Sequence, residues 1–138
     1  MLDKADKITL MKLHKSHALI VHAAAAVHSV SLKEGRLVSL RETAVAGFEQ
    51  LIDDNRLDVT MALKLLKKYD FSGPRDIYLA FKPSEMVLHA ECHKRLGTLS
   101  IEPINRVEAV VIAIIRMGRP ELGMSPLMDV RELEKKTL

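Results

Sequence analysis

With 138 residues, 48% of them hydrophobic, the chain is long enough to close one core without staples, and a single domain over 1–138 is expected. A lone cysteine, Cys92, excludes an intramolecular disulfide and points to a reducing, cytoplasmic setting. The net charge of +3 admits an acidic partner without requiring one, and the whole surplus lies in the middle segment: residues 56–95 hold eight Lys/Arg against five Asp/Glu, while the flanking segments balance at seven against seven and six against six.

The N-terminus, MLDKADKITLMKLHK, alternates charges where a secretory leader needs a basic start and an unbroken apolar run, so no such leader is expected. Residues 16–30 lack Lys, Arg, Asp and Glu, but fifteen residues are too few to cross a bilayer, and His22 and His28 are among them. No membrane association is expected.

Leucine, alanine, methionine and lysine abound, aromatic residues make up 4%, and strict apolar/polar alternation is nearly missing. These features predict an all-α fold of five or six helices. The first helix is expected from Asp6 to Ser29, with apolar side chains spread around most of the cylinder, so that it must be buried on several sides. The segment VSLKEGRLVSL breaks the helical pattern and reads as a loop turning at Gly35. Ser39 and Glu42 form a capping box that starts a second helix over Leu40–Asp54. Asp58 caps a third helix that runs to Tyr69. After Ser72, Gly73 and Pro74, a short helical stretch is expected over Arg75–Phe81. Pro83 opens a fifth helix ending at Gly97, and Pro103 a sixth ending near Gly118. Residues 119–138, with two prolines and one glycine, read as a loop and a weakly ordered tail.

Four histidines stand between His14 and His28, and on the expected helix they share one broad face. His14 and His17, three residues apart, have the spacing of neighbouring ligands. In EMVLHAECH, Glu85, His89 and His93 recur every four residues, with Cys92 beside them. These six residues define one reading, a helical bundle that binds a divalent transition metal. Against it, bundle metal sites repeat a Glu-x-x-His element that this chain lacks, and HAECH is not the His-Glu-x-x-His of zinc proteases. Packing or interface roles explain the same histidines without a cofactor. A phosphotransfer histidine in HAECHKRLG, with Lys94 and Gly97 nearby, lacks the small-residue spacing that would let a partner domain approach.

The segment LDVTMALKLLKKYDFSGPRDIYLAF divides core from charge most cleanly. Val59, Ala62, Leu63, Leu66 and Tyr69 take one side of a helix, and Lys64, Lys67 and Lys68 group on the other within about 100°. Followed by a turn and Arg75, this resembles a helix-turn-helix with cations placed for phosphates, although the second stretch lacks the Arg, Asn or Gln that read base edges. No catalytic arrangement emerges: Cys92 and His93 are sequence neighbours that diverge on a helix, and RPEL between Gly118 and Gly123 lacks the lysine of a phosphate-binding loop. The leading expectation is a non-enzymatic, homo-oligomeric regulatory or adaptor protein, whose partner is nucleic acid through Lys64, Lys67, Lys68 and Arg75, or another protein.

Overall fold

A computed structural model describes residues 7–15, 17–54, 59–68 and 75–118, without the side chains of His14, Lys15, His17, Ala18, Met61, Lys68 and Arg75. The order is β1 (Thr9–Lys15), α1 (His17–Glu34), α2 (Leu40–Asp53), α3 (Thr60–Lys68), β2 (Arg75–Phe81), α4 (Pro83–Leu99) and α5 (Arg106–Gly118). The fold is mostly helical, with a small antiparallel ribbon in which β1 pairs with β2. The expected tail, the cap at Asp58 and the turn at 72–74 lie outside the described residues.

The ribbon corrects the all-α expectation at two places. Residues 9–15 were expected in the first helix, and 75–81 as a short helix; both are strands. Met11 pairs with Leu79 and Leu13 with Ile77 on the inner face, while Leu10, Lys12 and Tyr78 stay exposed. That alternation is the period-two pattern of a half-buried strand. In β1 alone, Leu10, Met11 and Leu13 equally fit a helical stripe. The choice is made by β2, with its Ile, Tyr and Phe, and by packing: a two-stranded ribbon is marginal alone, and here Phe81 is fully buried with its ring 5.7 Å from Phe48 on α2.

Helix α1 therefore starts later and runs further than expected, through Glu34 into residues read as loop. It ends where Gly35 adopts φ +71°, the left-handed conformation glycine tolerates best, and where the Gly35 amide donates to the Ser31 carbonyl at 2.9 Å. One stripe of α1 is buried, through Leu19, His22, Ala23, Ala26 and Val30. The other side is open, so the helix is covered on one side of the described structure rather than on several.

The capping box of α2 is present: Glu42 N–H donates to Ser39 Oγ at 3.1 Å, and Ser39 N–H to Glu42 Oε1 at 3.2 Å. Pro83 occupies the first turn of α4. Helix α5 begins at Arg106, three residues after Pro103, because Asn105 and Glu108 form a second capping box, with bonds of 2.9 and 2.7 Å. Glu108 is thus a cap rather than a buried acid, and Arg116 at the other end pairs with Asp54 at 3.0 Å.

Helix α5 is the axis of the core. Ala109 through Ile115 and Met117 are all buried, and α1, α2 and α4 pack around them. Two glycines permit the closest approaches. A Cβ on Gly47 would lie 2.8 Å from the Ala113 carbonyl carbon, and one on Gly118 would lie 2.8 Å from the Ala26 nitrogen. Gly97 on α4, in contrast, has open space around it.

These environments give substitutions of opposite sign. Gly47→Ala should lower the thermal midpoint through overpacking of about 1–3 kcal/mol. Gly97→Ala should raise it, because removing a helical glycine contributes about 0.5–1 kcal/mol when nothing is displaced. Circular dichroism melts of both variants test this, and equal shifts would contradict the tight α2–α5 contact.

Candidate functional site

The sequence-derived site residues separate into three places. On the ribbon, His14 pairs in register with Asp76, whereas His17 is the first residue of α1. A strand and a helix cannot hold them one helical turn apart, so the expected side-by-side spacing does not exist. Their side chains lie outside the described part. Nor do the histidines of α1 share a face: His22 is buried and His28 exposed.

Helix α4 carries the second cluster. His89 is buried with its ring edge toward Phe48, 5.4 Å between centroids. Its Nε2 donates to the Arg106 carbonyl at 2.9 Å, and His93 Nε2 donates to the Ile104 carbonyl at 2.5 Å. A carbonyl only accepts, so the proton of each neutral ring sits on Nε2. Both histidines thus tie α4 to the segment that opens α5. Burial, reinforced by the nearby Arg106 charge and by the neighbouring His93, holds His89 below the usual imidazole range, although the Arg106 carbonyl opposes the shift.

The other residues of this cluster point elsewhere. Glu85 pairs with Arg41 of α2 and accepts the Lys82 amide at 2.7 Å. Cys92 is fully buried, and burial pushes its thiol up to about 12, far from thiolate chemistry at neutral pH. Among the described residues, no group of three or more His, Cys, Asp or Glu is arranged to hold a metal ion. What the two imidazoles do share is a cavity of about 510 Å³, lined also by Met86, Lys94, Gly97 and Arg106. Sequence reasoning missed Arg106 because its approach depends on the path from α4 to α5, which leaves no local pattern.

Helix α3 presents Lys64 and Lys67 to solvent. Lys67 is already engaged, its Nζ 2.6 Å from Glu102 Oε1. The two lysines also border a groove of about 260 Å³ with Leu63, Leu99 and Ile101. Lys68 ends α3 and Arg75 begins β2; their side chains are outside the described part. Because Arg75–Phe81 is a strand, α3 is not followed by a second helix there, and the expected helix-turn-helix is replaced by helix and ribbon. The pairing brings other cations together instead. Segments 7–15 and 75–82 contain Lys7, Lys12, Lys15, Arg75 and Lys82 against one carboxylate, Asp76, and Arg75 pairs in register with Lys15.

No family model, characterised protein or solved structure matches this chain. No helix among the described residues is long and apolar enough to cross a membrane.

His89 makes the fold sensitive to acid. Its folded-state pKa lies below 6.5, so the unfolded chain binds more protons just below that pH, and stability falls with acidity. The contribution is complete above about pH 6.5 and is lost as pH drops toward the folded-state value. Denaturant titrations from pH 8 to 5 should show this decline. His89→Gln, which keeps an N–H donor for the Arg106 carbonyl, should flatten it while lowering stability at pH 8 through poorer packing.

Proposed function

We propose that this chain is a non-enzymatic regulatory or adaptor protein that works as a self-associated unit, with the outward face of α1 as the contact between copies. The supporting observation is the apolar exposure of that face. Ile20, Val21 and Leu32 are 43%, 51% and 71% exposed, on a stretch with no Lys, Arg, Asp or Glu from residue 16 to residue 32. An isologous interface needs a patch complementary to itself. Two α1 helices packed antiparallel about an axis level with Ala26 put Ile20 against Leu32 and Ala24 against His28, which pairs bulky side chains at the ends and small with large near the axis. At about 1.5 Å per residue the helix is about 27 Å long, enough for the centre of a standard interface.

Light scattering on micromolar protein should give at least the dimer mass. Ile20→Glu with Leu32→Glu should return the monomer while leaving the helical spectrum unchanged, since both side chains face outward. A monomeric mass for the unaltered chain would remove this reading.

A nucleic-acid partner is the more specific version, favoured by the cations gathered on the ribbon and on α3. A two-stranded ribbon fits the major groove, and phosphate contacts release counterions, so binding to duplex DNA should weaken steeply with salt. Lys64→Ala should reduce the slope of log affinity against log salt by about one. Lys67→Ala should reduce it by less, because Glu102 already neutralises that ammonium. Arg75→Ala should add to the Lys64 effect. Absence of salt-sensitive binding to DNA or RNA at low ionic strength would leave the adaptor reading with a protein partner.

A further inference from the structure

We propose that the cavity between α4 and the start of α5 binds a small organic anion, an apolar body about the size of a benzene ring carrying a carboxylate. It is an open-mouthed site, with Ala90, Lys94, Gly97 and Arg106 exposed, and its volume of about 510 Å³ lies within the usual range of small-molecule sites, about 300–1,000 Å³. Met86, Ala90 and Gly97 supply the apolar wall, and every ionisable group in the lining is basic: His89, His93, Lys94 and Arg106. No carboxylate among the described residues lines the cavity. Among the described residues, Lys94 and Arg106 are exposed and neither side chain has an ion pair, unlike Arg36, Arg41, Lys67 and Arg116. Two cations at the edge of an apolar cavity, without a counter-charge, match an amphipathic anion.

Helix α5 adds to this field. Arg106 is its first residue, so the positive end of a 13-residue helix opens at the cavity edge. The capping box occupies the amides of Asn105 and Glu108, which leaves the Arg106 and Val107 amides without intrahelical acceptors. Two carboxylates stand close along the chain without lining the site: Glu108, which accepts the Asn105 amide, and exposed Glu91, three residues before Lys94. The site is also held in shape without a ligand. Both imidazoles are fixed by backbone carbonyls at 2.9 and 2.5 Å, and His89 is wedged against Phe48, so binding orders little beyond the two long cationic side chains. The proposal is independent of self-association and of nucleic-acid binding.

Heteronuclear NMR on the full chain tests it, with sodium benzoate as the probe and inorganic phosphate in parallel, at ionic strength held constant with chloride. Benzoate should produce saturable shifts confined to the lining, Met86, His89, Ala90, His93, Lys94, Gly97 and Arg106, with phosphate at least ten-fold weaker, about the loss expected when the apolar contact is missing. Lys94→Ala with Arg106→Ala, both at exposed positions, should weaken benzoate about ten-fold or more without changing the remainder of the spectrum. Shifts that stay linear to about 20 mM, beyond the weak end of small-ligand affinity, would overturn the proposal, as would an unchanged affinity in the double variant. Phosphate binding as tightly as benzoate would overturn the apolar half of it. Should the double variant fail to fold, the wild-type titration and Lys94→Gln alone decide the same question.

Discussion

The constraint on which the structure depends is the burial of α5. VEAVVIAIIRM presents apolar side chains in almost every direction, and Ala109 through Ile115 are all withdrawn from water. At about 1.5–3 kcal/mol for each large aliphatic side chain buried, the valines and isoleucines of this one helix contribute more than any cap or ion pair in the chain. Such a helix has to be walled in on all sides, and the other elements are arranged to do so. The walls come close because glycine stands at the crossings: Gly47 lets α2 reach the Ala113 backbone, and Gly118 lets α5 reach the Ala26 backbone.

This central burial explains where polar groups survive inside. His89 is tolerated because its one N–H finds the Arg106 carbonyl and its ring edge faces Phe48; a buried polar group with its partner costs far less than an orphan. Arg116 and Asp54 meet where α5 leaves the core, each still partly wet, so the pair is spared the full desolvation of a buried ion pair. His89 thus lies near the start of α5 and the Arg116–Asp54 pair at its end, while buried Thr43 on α2 is satisfied by the Ser39 carbonyl, and the cationic cavity lies at the start of α5.

Features encoded by adjacent residues were legible in the sequence. Ser39 with Glu42 makes its box within four residues, Pro83 marks a helix start because its ring fixes φ and it lacks an N–H, and Gly35 marks a left-handed turn. The strands were not legible, because each needs a partner far along the chain: Thr9 pairs with Phe81 and Met11 with Leu79. Read locally, TLMKLHK and RDIYLAF fit a helix about as well as a strand, and tertiary packing of Phe81 on Phe48 tips the balance. The candidate site shows the same division. The four-residue spacing of His89 and His93 correctly put them together, while Glu85 at the same spacing was drawn away by Arg41, a residue more than forty positions earlier. Lys67 was readable as a surface cation, but its Glu102 partner was not.

The proposed cavity lies beside Arg106 at the start of α5, whereas the proposed association face is the outward side of α1, whose opposite, buried side meets α5 where Ala26 approaches Gly118. Proximity to one helix does not couple them. A ligand shifts an equilibrium only by its differential affinity for two arrangements, and a coupling free energy requires an element that has both. Helix α5 is poorly suited to that role: where Gly47 meets Ala113 and Gly118 meets Ala26 the backbones leave no room for a methyl group, so a small axial shift would force clashes rather than reach a second packing. The ribbon differs in kind, being two strands that pair with no further strand among the described residues and an outer face carrying exposed Leu10 and Tyr78. Regulation that links a ligand to association would therefore have to act through the ribbon or through α3, whose contacts with α5 are few, while α5 itself serves as the fixed frame on which both surfaces are mounted.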